Sequence, residues 1–162
     1  MTVTTGIGWD SHRFAEGRRL LLGGVELPHD RGLAGHSDAD VLTHAVIDAL
    51  LGAAALGDIG LHFPDTDDQW RDADSIELLR AVVGVLKGRG TRIVHVDATV
   101  VMERPKLAPY RDEMRATLAV ALEIDPRHVN VKASTGEGMG FVGRGEGVAA
   151  LAVATLDSAD GG

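Results

Sequence analysis

The 162-residue sequence contains no cysteine and few aromatic residues, and both shortages limit the kinds of binding site that the chain can form. Without cysteine the chain has neither a disulfide framework nor a thiolate metal site, which fits a reducing compartment and predicts a cytoplasmic protein. Aromatic residues make up only 4% of the chain, so stacking platforms for nucleic-acid bases are scarce. No apolar run approaches the length of a membrane-spanning helix, and the first residues lack the basic and apolar regions of a signal peptide.

Net charge and composition indicate which partners and which architecture the chain is expected to have. The 16 Lys and Arg residues against 24 Asp and Glu give a formal net charge of −8, which argues against nucleic acid but leaves a small phosphorylated ligand open. The hydrophobic fraction of 44% is ordinary for a globular protein, and the length predicts a single domain over residues 1–162. Because aromatics are scarce, the core is expected to consist largely of Val, Leu, Ile and Ala.

Hydrophobic periodicity predicts the order of the secondary structure. Extended segments are predicted in TVTTGIGW and RRLLLGGVELP, and helices are predicted after Asp40 and from Asp74 onwards. A long strand is predicted in TRIVHVDATVVMER, a helix in LAPYRDEMRATLAVALEI and a short strand in HVNVKAS. The tail GVAALAVATLD fits either a buried strand or a helix. This order predicts an α+β fold, with a mixed β-sheet layered with α-helices on one face.

Two segments in the first third of the chain carry the residues of a possible metal site. In GIGWDSHRF, Asp10 and His12 are two apart on an extended segment, so their side chains point to the same face. His44, in the helix predicted from HSDADVLTHA, can supply a third ligand. Two imidazoles and a carboxylate suit zinc and leave one coordination position open for substrate. The competing interpretation is that these residues make local hydrogen bonds in turns and that His44 is a core histidine.

Three further segments carry polar side chains with two interpretations each. In GDIGLHFPDTD, Asp58 and its neighbouring carboxylates either accept hydrogen bonds from a polyol or cap the turns of a solvated loop. Lys106 in ERPKLAP either binds a phosphate or lies on the surface. The segment KASTGEGMGF is either an anion-binding nest with a carboxylate for Mg²⁺ or an ordinary glycine-rich turn. With no cysteine and no nucleophile elbow, this inventory suits phosphoryl transfer better than covalent catalysis.

These segments together resemble the 2-C-methyl-D-erythritol 2,4-cyclodiphosphate synthases of the non-mevalonate isoprenoid pathway. The matching blocks run in one order from about residue 6 to 150 and are GIGWDSHRF, AGHSDADVLTHAVIDALLGAAALGDIGLHFPDTD, RPKL and KASTGEGMGFVGRGEG. The resemblance implies that the 2-phosphate of 4-diphosphocytidyl-2-C-methyl-D-erythritol 2-phosphate attacks the β-phosphorus, which closes a cyclodiphosphate ring and expels CMP. It also implies a homotrimer with each active site between neighbouring subunits.

The resemblance assigns metal ligands by position. It implies that Asp10, His12 and His44 bind Zn²⁺, one ion per subunit, and that Glu137 binds Mg²⁺ or Mn²⁺ on the substrate diphosphate. Two divalent cations would offset the charge of an acidic chain that binds an anionic substrate.

The resemblance also assigns residues to the reaction and to the substrate. It implies that His36 and Thr135 support the transition state, and that Phe141 and Arg144 face a central cavity for an isoprenoid diphosphate. The residues implied for substrate binding are Asp10, His12, His36, Ser37, Asp58, Ile59, Gly60, Phe63, Pro64, Asp65, Thr66 and Asp67 around the erythritol, Met102, Pro105, Lys106, Leu107, Ala108, Ala133, Ser134 and Thr135 around the cytidine diphosphate, and Phe141 and Arg144.

Four positions depart from the expected family pattern. Gly136 and Ser134 stand where threonines are usual, and Trp9 and Leu151 also differ from common family residues.

Two rival functions use the same residues. A zinc-dependent phosphohydrolase would activate water and release inorganic phosphate, whereas a trimeric nucleotide-binding module would bind CDP or CTP without turnover.

Overall fold

The computed structural model describes residues 1–159 and has a mixed five-stranded β-sheet at its centre. The strands are β1 (Thr2–Ala15), β2 (Leu20–Leu22), β3 (Val25–Leu27), β4 (Gly32–Leu33), β5 (Thr91–Val101), β6 (Val129–Ser134) and β7 (Gly147–Ser158). The helices are α1 (Val41–Ala53), α2 (Ile59–His62), α3 (Ser75–Gly88), α4 (Arg111–Leu122) and α5 (Gly140–Gly143). Single 3₁₀ turns lie at Asp68–Trp70, Ala108–Tyr110 and Pro126–His128. Of the helices within residues 1–159, none has the length and apolarity to cross a membrane.

The sheet has the strand order β4-β1-β7-β5-β6. Its pairs are antiparallel except β5 with β6, which is parallel, so the prediction of a mixed sheet is confirmed. The tail whose pattern fitted strand or helix is the central strand β7, paired with both β1 and β5. A strand covered on both edges and largely buried has a nearly continuous apolar sequence, which explains the ambiguity. Strand β1 joins the extended segments predicted in TVTTGIGW and around Asp10 and His12 into one strand, which continues to Ala15.

Helix α1 packs directly on the middle of the sheet, and two glycines of β1 set the distance. A Cβ atom on Gly8 would lie 1.8 Å from the carbonyl oxygen of Ala45, and one on Gly6 would lie 2.2 Å from that of Ala49. Only glycine therefore fits at these two strand positions while α1 stays where it is. The result is that residues at the start of α1 lie close above residues 10 and 12 of β1.

A buried carboxylate fixes the start of α1. Asp40 is fully buried, and its side chain caps the helix by accepting a hydrogen bond from the Thr43 amide at 3.0 Å. It also accepts hydrogen bonds from the Thr43 hydroxyl (2.8 Å) and from the amides of Gly23 (2.9 Å) and Gly24 (2.7 Å). Burial raises the pKa of Asp40 even though these hydrogen bonds oppose the shift. The turn between β2 and β3 is thereby attached to the helix that carries His44.

The opposite face of the sheet exposes apolar side chains. Alternation along β1 and β7 directs one set of side chains towards the helices and the other set outwards. The outward set includes Ile7 at 69%, Trp9 at 54% and Val153 at 41% exposure, and Trp9 stands opposite Leu151 in the strand register. Contiguous exposed apolar residues on one sheet face are typical of an interaction surface.

Two loop segments contain helical turns that the sequence pattern did not predict. The segment GDIGLHFPDTD contains α2, which begins after Asp58, and the glycine-rich segment contains α5. Helix α4 begins at Arg111, later than predicted, because the preceding residues form a 3₁₀ turn that includes Pro109.

Candidate active site and metal centre

Asp10, His12 and His44 converge as the spacing predicts. The Asp10 Oδ2 atom lies 2.8 Å from His12 Nε2 and 3.0 Å from His44 Nδ1, and the two nitrogens are 3.3 Å apart. One oxygen and two nitrogens within this distance of one another can all reach a single ion, and the donor set suits zinc. The three residues are partly buried, with His44 only 8% exposed.

The remaining ring nitrogens hold the imidazoles in the orientation that a metal needs. His12 Nδ1 lies 2.7 Å from the carbonyl oxygen of Ala34, which only accepts, so this nitrogen donates and Nε2 keeps its lone pair. His44 Nε2 lies 2.8 Å from Ser75 Oγ, and the Ser75 hydroxyl donates a short hydrogen bond to Asp38. Ser75 Oγ therefore accepts from His44 Nε2–H, which leaves His44 Nδ1 free to bind a cation.

Asp10 and His12 shift each other's pKa. Burial tends to raise the pKa of Asp10, but hydrogen bonds and the charges of His12 and His44 outweigh it and lower the pKa to about 2. Burial tends to lower the pKa of His12, but the hydrogen bond and charge of Asp10 raise it above the ordinary 6.5. The carboxylate is thus ionised at neutral pH and ready to bind a cation.

A cavity of about 390 Å³ opens beside these three residues. Its walls bring together many of the residues expected around the erythritol, namely Asp10, His12, His36, Ser37, Ile59, Gly60, Phe63, Pro64 and Asp65. Asp58, Thr66 and Asp67 do not line it. Asp58 caps α2 by accepting from the Leu61 amide at 2.9 Å, and Asp67 accepts from the Gln69 amide, as the turn-capping interpretation predicts.

Asp48 positions this cavity although the sequence pattern did not assign it a role. Its Oδ1 accepts a hydrogen bond from the Ile59 amide at 2.7 Å and so attaches the α2 segment to α1. Asp48 lies one helical turn after His44, and that spacing is the only sequence signal for its position.

A second cavity of about 230 Å³ lies at the end of β5. It is lined by all the residues expected around the cytidine diphosphate, namely Met102, Pro105, Lys106, Leu107, Ala108, Ala133, Ser134 and Thr135. Val100, Glu103 and Arg111 complete its walls, and within the described part of the chain it shares no lining residue with the first cavity.

Besides Asp58, Thr66 and Asp67, three more expected site residues lie in neither of these two cavities. Glu137 is exposed in the turn after Thr135 and is not part of the Asp10–His12–His44 group. Phe141 is 38% exposed, and Arg144 forms an ion pair with Glu146 at 3.0 Å. Arg144 also lines a third cavity of about 390 Å³ together with Arg31 and Arg104.

The model of the YgbB family matches residues 3–157. The chain belongs to the YgbB family. It is 64% identical over 154 residues to the 2-C-methyl-D-erythritol 2,4-cyclodiphosphate synthase of Salinibacter ruber, an alignment that covers 95% of this chain and 98% of that protein.

Solved structures show the same relationship. The bifunctional IspDF from Campylobacter jejuni matches with a TM-score of 0.94 and 43% identity, over 98% of this chain and 43% of that one. A 2C-methyl-D-erythritol-2,4-cyclodiphosphate synthase in its CDP-bound form matches with a TM-score of 0.86 and 38% identity, over 94% and 99% of the two chains. The similarity to these structures therefore covers nearly the whole chain and includes the sequence as well as the fold.

The structure locates the four departures from the expected YgbB pattern. Trp9 and Leu151 face each other across β1 and β7 on the outward face of the sheet. Ser134 keeps a hydroxyl in the second cavity. Gly136 lies where a Cβ atom would be 2.8 Å from the Gly143 amide nitrogen and 2.9 Å from the Met139 carbonyl oxygen. A threonine at this position would require the turn to shift.

Proposed function

We propose that this protein is a 2-C-methyl-D-erythritol 2,4-cyclodiphosphate synthase. In the reaction, the 2-phosphate of 4-diphosphocytidyl-2-C-methyl-D-erythritol 2-phosphate attacks the β-phosphorus, and the bond from that phosphorus to the CMP oxygen breaks. The single observation that carries the proposal is the convergence of Asp10, His12 and His44 beside a cavity, in a chain 64% identical to such a synthase.

Different residues of the chain are proposed to bind the cations and to supply positive charge to the substrate. Asp10, His12 and His44 would hold Zn²⁺, and Glu137 would hold Mg²⁺ or Mn²⁺. Bound cations supply charge neutralisation to the phosphates that react. Lys106 adds a fixed positive charge at the second cavity. Because phosphoryl transfer between groups of one substrate needs no protein nucleophile, catalysis reduces to alignment and electrostatics.

His36 and Thr135 are assigned to support the transition state. His36 lines the first cavity, where its Nε2 lies 3.1 Å from the Asp67 carbonyl oxygen, so the loop fixes its ring. Thr135 lines the second cavity. A hydroxyl that donates a hydrogen bond stabilises charge developing on the oxygens of the reacting diphosphate, and Thr135 can supply one.

The active protein is proposed to be a homotrimer whose sites form between subunits. Two observations support it. The face of the sheet that bears Ile7, Trp9 and Val153 is apolar and exposed, and the metal and nucleotide cavities are lined by separate sets of residues. The shared central cavity for an isoprenoid diphosphate, near Phe141 and Arg144, and the cytoplasmic location remain predictions.

Phosphorus NMR of the zinc-loaded protein with the diphosphocytidyl substrate tests the proposal. The expected products are CMP and the cyclodiphosphate. Release of inorganic phosphate would instead indicate a zinc-dependent phosphohydrolase, and tight CDP binding without turnover would indicate a nucleotide-binding module; either result would refute the proposal. His44→Ala should lose most bound zinc and most activity, while the exposed Ser11→Ala on the same strand serves as the control.

A further inference from the structure

The turn that carries Thr135 and Glu137 has a defined geometry. Glu137 adopts a left-handed conformation with φ of 54°, and its amide donates to the Thr135 hydroxyl oxygen at 3.1 Å. The Met139 amide donates to the Gly136 carbonyl oxygen at 2.9 Å. The relative position of the Thr135 hydroxyl and the Glu137 carboxylate therefore depends on the peptide at Gly136, between them.

Two neighbouring residues after β5 attach to this turn. The Met102 amide donates to the Ser134 carbonyl oxygen at 2.9 Å, and Glu103 Oε1 accepts from the Gly136 amide at 2.5 Å. The second bond has an ionised acceptor and joins residues far apart in the sequence, so it fixes the turn against the sheet rather than within itself. No other hydrogen bond or ion pair of the Glu103 side chain is present among residues 1–159.

Gly136 and Glu103 are matched sterically. A Cβ atom on Gly136 would lie 3.1 Å from Glu103 Oε1, in addition to its contacts with the backbone of Gly143 and Met139. A side chain at residue 136 would therefore displace the carboxylate as well as crowd the turn. The glycine that departs from the usual threonine leaves room for this hydrogen bond.

Glu103 also has an unusual place among the cavities. Within the described chain it is the one residue that lines both the nucleotide cavity and the cavity of Arg31, Arg104 and Arg144. A carboxylate that faced a diphosphate freely would repel it. Here one oxygen of Glu103 accepts a hydrogen bond from the Gly136 amide, and three arginines line the other cavity that Glu103 borders. The carboxylate therefore binds the turn.

We propose that Glu103 is a positioning residue of the synthase reaction, which binds the Gly136 amide and so aligns Thr135 with Glu137. The inference rests on the proposed function. Glu103 touches the turn rather than the reacting atoms, so its removal should affect the alignment needed for turnover more than the affinity for the nucleotide. Glutamine keeps the accepting oxygen and removes the charge, whereas alanine removes both.

The test compares Glu103→Gln, Glu103→Ala and the exposed α4 control Glu113→Ala in the full-length protein. Glu103→Ala is expected to lower kcat by about tenfold to a hundredfold, because a small misplacement of aligned groups has effects of this size. Its Kd for CDP, measured by calorimetry, is expected to stay within about threefold of the parent because the residues expected around the cytidine diphosphate remain, and Glu103→Gln should restore most of kcat. Equal losses in the Gln and Ala variants, an unchanged kcat in Glu103→Ala, or parallel losses of kcat and CDP affinity would overturn the positioning role.

The amide NMR resonance of Gly136 gives an answer that does not depend on activity. A short hydrogen bond to a carboxylate shifts this resonance downfield, and the shift should be lost in Glu103→Ala and largely kept in Glu103→Gln. An unchanged resonance in Glu103→Ala would refute the hydrogen bond itself. If the parent protein makes no CMP but the resonance responds as expected, the synthase proposal fails while the contact between Glu103 and the turn is established.

Discussion

Removing the Ser75 hydroxyl is expected to weaken zinc binding by about tenfold. His44 binds a metal through Nδ1 only when Nε2 carries the proton, and Ser75 Oγ, 2.8 Å away, is the acceptor that stabilises this tautomer. In Ser75→Ala the metal-free ring gains by moving its proton to Nδ1 and donating to Asp10, 3.0 Å away, and zinc must reverse that change. An unsatisfied buried donor costs about 1–3 kcal/mol. Ser37 Oγ, at the longer distance of 3.2 Å, replaces part of the bond, so a loss near the lower end, about 1.4 kcal/mol, is expected.

The Ser37→Ala/Ser75→Ala double variant removes both acceptors and should lose about a hundredfold in zinc affinity, the upper end of what second-layer contacts contribute. Zinc affinity is measured by competition with a chromophoric chelator at neutral pH, and the visible spectrum of the Co²⁺ protein reports the ligand geometry. The control is Ser11→Ala, because Ser11 lies between two of the ligands in sequence but points to the other face of β1. A double variant that binds zinc within about twofold of the parent would show that these hydroxyls do not set the His44 tautomer.

Three further outcomes follow from the site and its support. Asp40→Ala leaves four hydrogen-bond donors around a fully buried position without an acceptor. The free energy of unfolding, measured in urea, should therefore fall by about 3 kcal/mol or more, and a fall of less than about 1 kcal/mol would contradict the anchoring role of Asp40. Since burial lowers the pKa of His12 but the stronger combined effect of Asp10 raises it, protons compete with zinc up to a higher pH than usual, and zinc affinity should fall as pH falls through that raised pKa. Calorimetry in buffers of different ionisation enthalpy should detect the released proton, and a buffer-independent enthalpy would count against it. Finally, Asp10→Ala and Lys106→Ala chains, each inactive, should regain CMP release in mixed trimers confirmed by mass spectrometry, whereas no recovery would mean that the two cavities do not act together across subunits.

The convergence of Asp10, His12 and His44 could be predicted from the sequence because the position of each residue rests on a local rule. Asp10 and His12 share a face through the two-residue period of a strand, and His44 follows a capped helix start. The residues of the second cavity were grouped through the family resemblance, and they come from two short segments at the ends of the neighbouring parallel strands β5 and β6.

The supporting contacts could not be predicted in the same way. Asp48 binds the Ile59 amide 11 residues away, and Glu103 binds the Gly136 amide 33 residues away, so both pairings depend on how whole elements pack. Ser75 was expected only at a helix start, and its contact with His44 arises because α3 packs beside α1. Such contacts leave no periodic signal, since each joins a single side chain to one distant backbone or ring atom.

The close packing of α1 on Gly6 and Gly8 bears on the thermodynamics of metal uptake. All three ligands belong to a strand and a helix whose separation is set by backbone contact, so no loop must be ordered when the ion enters. Uptake should therefore resemble binding to a rigid receptor, with little change in heat capacity, rather than the coupled folding of a zinc finger. By mass action, free zinc at a hundred times its dissociation constant would then add about 2.7 kcal/mol to the free energy of unfolding.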